Sequence, residues 1–174
     1  MHDTEDKLWW TEHGARMEVR FVDEVAPRLG LEAVLNPAKA SDPFGPDLLV
    51  GGQLADLKVQ NTPFFTASRY GLDPQYTVTF NRKDYLRYSE LYPDIVLFFW
   101  VAWTTLAWPE QAPRIRVEKM AGLWEVPFAG LARRVKDGEA PLHSYQRRVG
   151  DRAGNATESY LFDLRTFTEL SVRR

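Results

Sequence analysis

Apolar positions near the start of the chain recur at helical spacing: Ala15, Val22, Val25, Ala26 and Leu29 predict a helix over about Leu8 to Leu29. Gly30 supplies its stop, because glycine accepts the left-handed conformation that ends helices. Leu31 to Leu35 then reads as a short strand, and 36–45 as a loop rich in Pro, Ala, Ser and Asp. Two apolar runs follow, Asp47 to Val50 and Gln53 to Gln60, separated only by Gly51-Gly52. A Gly-Gly pair between two such runs predicts a β-hairpin. Tyr76 to Phe80 alternates like a strand, Asn81 is placed to cap a helix reaching about Tyr92, and Pro93 ends it. Asp94 to Trp103 is the most hydrophobic run and predicts a central strand covered on both faces. Beyond it, the pattern predicts a strand over Arg114 to Met120, a short helix over Val126 to Lys136, and a strand pair or one long strand over Ser159 to Leu170. Arg147 to Ala156 reads as a polar turn region. The order helix, strand, hairpin, strand, helix, strand predicts an α/β core with a mixed sheet.

The hairpin also implies a register. With Gly51 and Gly52 as the loop, Val50 faces Gln53, Leu49 faces Leu54, Leu48 faces Ala55, and Asp47 faces Asp56. Two carboxylates opposed at about 5–6 Å between Cβ atoms repel each other unless a cation lies between them. Mg²⁺ fits such a place, since it takes carboxylate oxygens and keeps waters for a substrate phosphate. Lys58 follows Asp56 on the same strand face. There it is placed to orient or deprotonate an attacking water, or to stabilise charge growing on the phosphate. Gln60 continues that face as an auxiliary contact, although a structural role suits it better. Glu18 falls near the centre of the apolar stripe of the first helix, where a carboxylate is costly unless paired or bound to metal.

These residues carry a resemblance. Gly45-Pro46-Asp47, followed nine residues later by Asp56-Leu57-Lys58, resembles the PD-(D/E)xK nuclease superfamily. Gly14 with Glu18 is similar to the helix-borne Gly-xxx-Glu of its Holliday-junction-resolvase-like members. The similarity spans roughly Thr11 to Trp103 and implies a restriction-endonuclease-like αβββαβ core with Mg²⁺-dependent (or Mn²⁺-dependent) phosphodiester hydrolysis. Asp47 and Asp56 would be metal ligands, Lys58 the catalytic lysine and Glu18 an auxiliary carboxylate that completes the metal set. The second acid is Asp where many members carry Glu. Residues 105–174 match no pattern of that family, and are expected to form a C-terminal α+β extension packed on the 1–104 core in a single compact domain.

Composition narrows the reading further. The 174 residues are 44% hydrophobic, 13% aromatic and 26% charged, which suits one globular domain with a sizeable core. With no cysteine, disulfides, thiolate zinc sites and a cysteine nucleophile are excluded, in keeping with a cytoplasmic protein. The N-terminus is too polar and acidic for a secretory signal, and the run Ile95 to Trp103 is too short for a membrane span. A net charge of −2 argues against binding nucleic acid by bulk electrostatics. The balance is uneven, however: residues 1–104 carry 10 basic and 15 acidic side chains, and residues 105–174 carry 12 and 9. The C-terminal part is therefore the candidate holder of a phosphate backbone.

Further contacts to nucleic acid are expected from Lys83 and Arg87 on the second helix and from His143, Arg147 and Arg148, although solvated surface is the simpler reading of each. The run Phe98-Phe99-Trp100 is expected to be core rather than a base-stacking platform. The sequence thus predicts a metal-dependent nuclease acting on DNA, with RNA second. Two alternatives stand beside it: a nuclease of structured RNA, and a catalytically inactive protein of the same fold that binds nucleic acid or protein. Cleavage of both strands of a duplex by a one-site protein would call for a homodimer.

Overall fold

The computed structural model describes residues 7–107, 115–145 and 158–170, with side chains from residue 14 onward. Helix α1 (Lys7–Arg20) is not the single helix that the apolar stripe predicts. It widens into a π-helical turn over Phe21–Val25, closed by Ala26 N–H donating to Phe21 O at 2.9 Å. A 3-10 turn over Pro27–Leu29 then ends at Gly30 with φ 71°. The proline explains the change, because it has no N–H to continue the α-helical ladder.

The predicted hairpin forms. Strands β1 (Ala33–Leu35), β2 (Leu48–Val50) and β3 (Gln53–Gln60) pair antiparallel, with Val50, Leu49 and Leu48 opposite Gln53, Leu54 and Ala55. Gly51 and Gly52 have φ of 56° and 79°. Positive φ at both loop residues is what a two-residue turn of this hand requires, and two glycines meet it without strain. Strand β4 (Thr77–Asn81) follows, and the Asn81 side chain accepts from Lys83 N–H to start helix α2 (Arg82–Leu91).

Strand β5 (Val96–Ala102) lies parallel to β3, with Asp56 beside Leu97 and Lys58 beside Phe99. All other pairings are antiparallel, so the large sheet is mixed. Its order is β1-β2-β3-β5-β6-β9, and β4 belongs instead to a three-stranded sheet β4-β8-β7. Along the chain, α1, β1, the β2–β3 hairpin, β4, α2 and β5 follow the expected order of helix, strand, hairpin, strand, helix and strand, but β4 joins the smaller sheet rather than the central one.

Three C-terminal expectations are corrected. The strand expected over Arg114 to Met120 is absent among the described residues; Arg116 makes only an isolated bridge with Ala107. The strand is β6 (Ala121–Pro127), which zips along all of β5. Gly122 hides it from a pattern reading, yet the position needs glycine: a Cβ there would come within 2.6 Å of the Trp124 ring folded over it. Helix α3 (Phe128–Lys136) accordingly begins after Val126 and Pro127, which belong to β6. Ser159 to Leu170 does supply two strands, but they do not pair with each other. The Asp163 carboxylate accepts from Arg165 N–H at 2.9 Å, making a turn that sends β8 (Glu158–Asp163) to the small sheet and β9 (Thr168–Leu170) to the edge of the large one. Strand β7 (Leu142–Ser144) completes the small sheet.

Strand β5 separates two cores, as its uninterrupted hydrophobicity predicts. Leu97, Phe99 and Val101 face an aromatic cluster with Phe80, Tyr88, Phe128, Leu131 and Phe162. Phe98 faces the smaller α1 side, with Phe21, Leu48, Ala55 and Leu57; its ring centroid is 5.7 Å from that of Phe21. The run Phe98-Phe99 is therefore core. Truncating a ring packed this way costs about 3–5 kcal/mol. The molecule is a mixed α/β fold, a mixed central sheet with flanking helices. No helix among the described residues is long and apolar enough to cross a membrane.

Candidate functional site

Alternation along β3 sends Leu57 into the α1-side core and leaves Asp56 and Lys58 on the face shared with Leu97 and Phe99. Asp56 is 2% exposed. The antiparallel ladder between β2 and β3 stops at Leu48–Ala55, one pair short of Asp47 and Asp56. Beyond that end, the Asp47 side chain takes over as an acceptor: Leu57 N–H approaches its Oδ2 at 3.4 Å. Asp47 is thereby brought beside Asp56.

Burial pushes the Asp56 carboxyl up to about 6; the Lys58 ammonium pulls it down, while the neighbouring Asp47 carboxyl pushes it up again. Asp56 Oδ2 lies 2.6 Å from Lys58 Nζ, but the angles fall outside hydrogen-bond geometry, and this buried oxygen has no hydrogen-bond donor. Lys58 Nζ instead donates to Asp84 Oδ2 at 2.9 Å. Its ammonium also lies 5.7 and 5.8 Å from the ring centroids of Phe80 and Tyr88. Desolvation opposes its charge, but Asp56, Tyr88 and Asp84 outweigh that and hold its pKa well above the usual lysine value.

A second lysine stands on the other side of Asp47. Lys39 Nζ donates to Glu18 Oε1 at 2.7 Å and also to Asp47 Oδ1. Burial works against its charge, but the hydrogen bonds to Asp47 and Glu18 raise its pKa overall. Lys39 rides on a 3-10 turn, Pro37–Ala40, and Asn36 sets that turn at both ends of its own side chain. Asn36 Oδ1 accepts from Ala38 N–H at 3.1 Å, and Nδ2 donates to Pro46 O at 2.9 Å, tying the turn to the residue before Asp47. A cleft of about 500 Å³ opens here, lined by Gly14, Glu18, Lys39 and Asp47 among others. Another, of about 400 Å³, lies beyond Glu18 and Gly14 and reaches Gln60, Asn61 and Thr62.

The structure thus joins four residues nominated from sequence, Glu18, Asp47, Asp56 and Lys58, in one network. It adds Lys39, Asn36 and Asp84, which the sequence reading missed. The Asn36-Pro37 pair does signal a helical turn, but nothing local to it marks where Lys39 reaches. Asp84 had a simpler explanation as an acid in the first turn of α2.

The remaining nominees stand apart from this network or at its border. Gln60 is structural, since its Nε2 donates to Thr79 O at 2.7 Å and its Oε1 accepts from Thr79 N–H at 3.2 Å. Arg87 donates to Asp84 Oδ1 at 3.0 Å and stacks 5.0 Å from the Tyr88 ring centroid. Lys83 is exposed. His143 shares a hydrogen bond of 2.7 Å with the Tyr70 hydroxyl and sits among Phe64, Tyr70 and Tyr145; burial, then Arg69, lowers its pKa. Arg147 and Arg148 lie outside the described residues.

Among the described residues no group of three or more His, Asp or Glu side chains is arranged to hold a metal ion. The Asp47–Asp56 pair nevertheless has the donor chemistry for Mg²⁺ or Mn²⁺: two adjacent carboxylates, one with a buried oxygen lacking a donor. Mg²⁺ is commonly held by one or two carboxylates, with water and phosphate completing its shell. Compared with protein-family models, curated proteins and solved structures, the chain matches none.

Proposed function

We propose that the chain is a Mg²⁺- or Mn²⁺-dependent nuclease of the PD-(D/E)xK type, with a restriction-endonuclease-like core, acting on DNA. The observation that carries this reading is the meeting of Asp47, Asp56 and Lys58 where the β2–β3 ladder ends, with Asp56 Oδ2 buried beside a lysine and without a hydrogen-bond donor. Asp47 and Asp56 would hold the cation, which when bound supplies Lewis-acid stabilisation of the phosphodiester and a more acidic water. Lys58 keeps its proton firmly, so its role is that of a donor rather than a base. Its ammonium orients the water nucleophile and offsets negative charge developing on the phosphoryl oxygens. Asp84, with Arg87 behind it, holds the Lys58 ammonium in place against the Phe80 and Tyr88 rings.

The test is digestion of supercoiled plasmid, single-stranded DNA and tRNA in Mg²⁺ or Mn²⁺, with Asp56→Ala and Lys58→Ala in parallel. Cleavage by the unmodified chain that both variants lose supports the assignment; cleavage that survives in both overturns it. Preference for tRNA would shift the substrate to structured RNA. The second reading is a non-catalytic binding protein of the same fold. It is favoured by the way Lys39 and Lys58 already neutralise the carboxylates, and absence of cleavage on all three substrates would select it.

A further inference from the structure

Lys39 has no part in the mechanism above, yet its ammonium contacts two of the carboxylates nominated as metal ligands. Three observations bear on what it does there. Its partners Glu18 and Asp47 retain side-chain exposures of 16% and 14%, and Lys39 keeps 29%, so water and ions reach the group. Its position is set by a short turn that Asn36 clamps, not by a strand or an α-helix. The cleft of about 500 Å³ beside it leaves space for the ammonium to leave its partners without breaking the core.

We infer that Lys39 is a displaceable counter-ion of the site. In the metal-free protein it neutralises Glu18 and Asp47; a divalent cation competes with it for Asp47, and the freed ammonium turns into the cleft, where it meets an anionic phosphate of the substrate. This inference rests on the nuclease reading of the same site. It assigns Lys39 two opposed effects, weakening cation binding and strengthening phosphate binding. The physical basis is simple. Two cations beside one carboxylate repel each other, so Lys39 and a metal cannot both sit on Asp47 without loss of affinity. A lysine ammonium on a flexible stem is suited to moving between such partners. Lys58 is not free to do the same, because it is surrounded by Asp56, Asp84 and two aromatic rings.

The experiment is Mn²⁺ titration by calorimetry, at fixed pH and ionic strength, on the whole chain and on Lys39→Met, Lys39→Arg and Asp56→Asn. Lys39→Met is expected to bind Mn²⁺ about tenfold more tightly, the size of removing one neighbouring like charge of about 1.4 kcal/mol. Lys39→Arg, which keeps the charge, stays near the parent value, and Asp56→Asn loses binding. Binding of a single-stranded oligonucleotide in Ca²⁺ is expected to weaken several-fold in Lys39→Met. Should Lys39→Met fold poorly, mass-spectrometric footprinting of the unmodified chain with an amine-acetylating reagent replaces it, and Lys39 labelling is expected to rise when Mn²⁺ is added. Equal Mn²⁺ affinity in Lys39→Met and the parent, or labelling that Mn²⁺ leaves unchanged, overturns the inference while leaving the nuclease reading intact. Mn²⁺ binding that is absent in parent and Lys39→Met alike, or that survives unchanged in Asp56→Asn, overturns both.

Discussion

Two lysines flank the same pair of aspartates, and their settings differ. Lys58 projects from an interior strand, beneath Phe80 and Tyr88, with Asp56 and Asp84 as partners. Lys39 projects from a short 3-10 turn at the mouth of a cleft, with Glu18 and Asp47 as partners. Each makes one cation between two carboxylates. What separates them is the stiffness of the surroundings and the burial of Asp56, whose side chain is only 3% exposed. The first triad is built on a sheet and on α2 and packed by rings, so its geometry is preorganised. The second depends on a turn that one asparagine holds. Preorganised charge contributes to a transition state, whereas loosely held charge is better suited to exchange.

The largest test of this contrast is functional. On the proposed nuclease reading, Lys58→Met is expected to lower plasmid cleavage in Mg²⁺ by about 10²–10⁴-fold, the range for losing a positioned proton-transfer or charge-stabilising group. Lys39→Met is expected to lose far less at saturating metal. If the two variants lose equal activity in a nicking assay, the contrast between a rigidly held triad and an exchangeable one is broken.

The next test is pH dependence of stability in the metal-free chain. Asp56 titrates near 6 in the folded protein against an ordinary 3.8. The folded state therefore holds this proton more tightly than the unfolded chain. Its stabilising contribution is complete below the unfolded value and is lost as pH rises through the folded one. Denaturant melts should show stability from this group falling between about pH 4 and 6, by roughly 2–3 kcal/mol. Asp56→Asn should flatten that slope, and a slope that persists in the variant would assign the effect elsewhere.

Smaller effects sharpen the comparison from the partner side. Asp84→Asn removes a charge-assisted hydrogen bond from Lys58 and another from Arg87, and is expected to cost about 1.5–3 kcal/mol in chemical denaturation. Glu18→Gln removes the corresponding partner of Lys39. With its lysine held by a turn rather than packed by rings, the loss is expected to be about 1 kcal/mol or less, and to shrink further in high salt. A Glu18 effect as large as that of Asp84, and insensitive to salt, would show that the second triad is as rigidly held as the first.

What was legible in the sequence follows a physical division. The hairpin register came from two adjacent glycines, whose positive φ values determine the turn type and therefore which residues face each other. The start of α2 at Asn81 and the stop at Gly30 came from caps, which act on their own neighbours. Glu18 stood out because a carboxylate interrupts an apolar stripe. Less was legible where pairing partners lie far apart. The run 114–120 reads as a strand and 121–127 does not, because Gly122 interrupts its pattern, and only the long β5 edge selects the latter. Likewise the turn at Asp163 separates β8 from β9, but only the docking of two sheets says where each strand goes.

By itself, then, the sequence determined the local devices: the Gly51-Gly52 turn, the caps, the apolar core strand, and the placing of Asp56 and Lys58 on one face of β3. Each depends on backbone sterics or on side-chain alternation within a few residues. The tertiary structure alone decided that Lys39 joins Asp47 to Glu18, that Asp84 reaches Lys58 from α2, and that Asp56 is dry enough to hold its proton up to about pH 6. Those facts depend on charges on separate elements, 8 residues apart for Lys39 and Asp47 and 26 for Lys58 and Asp84, being brought into a shared space. There the low dielectric strengthens each charge interaction, and no short-range pattern in the chain records it.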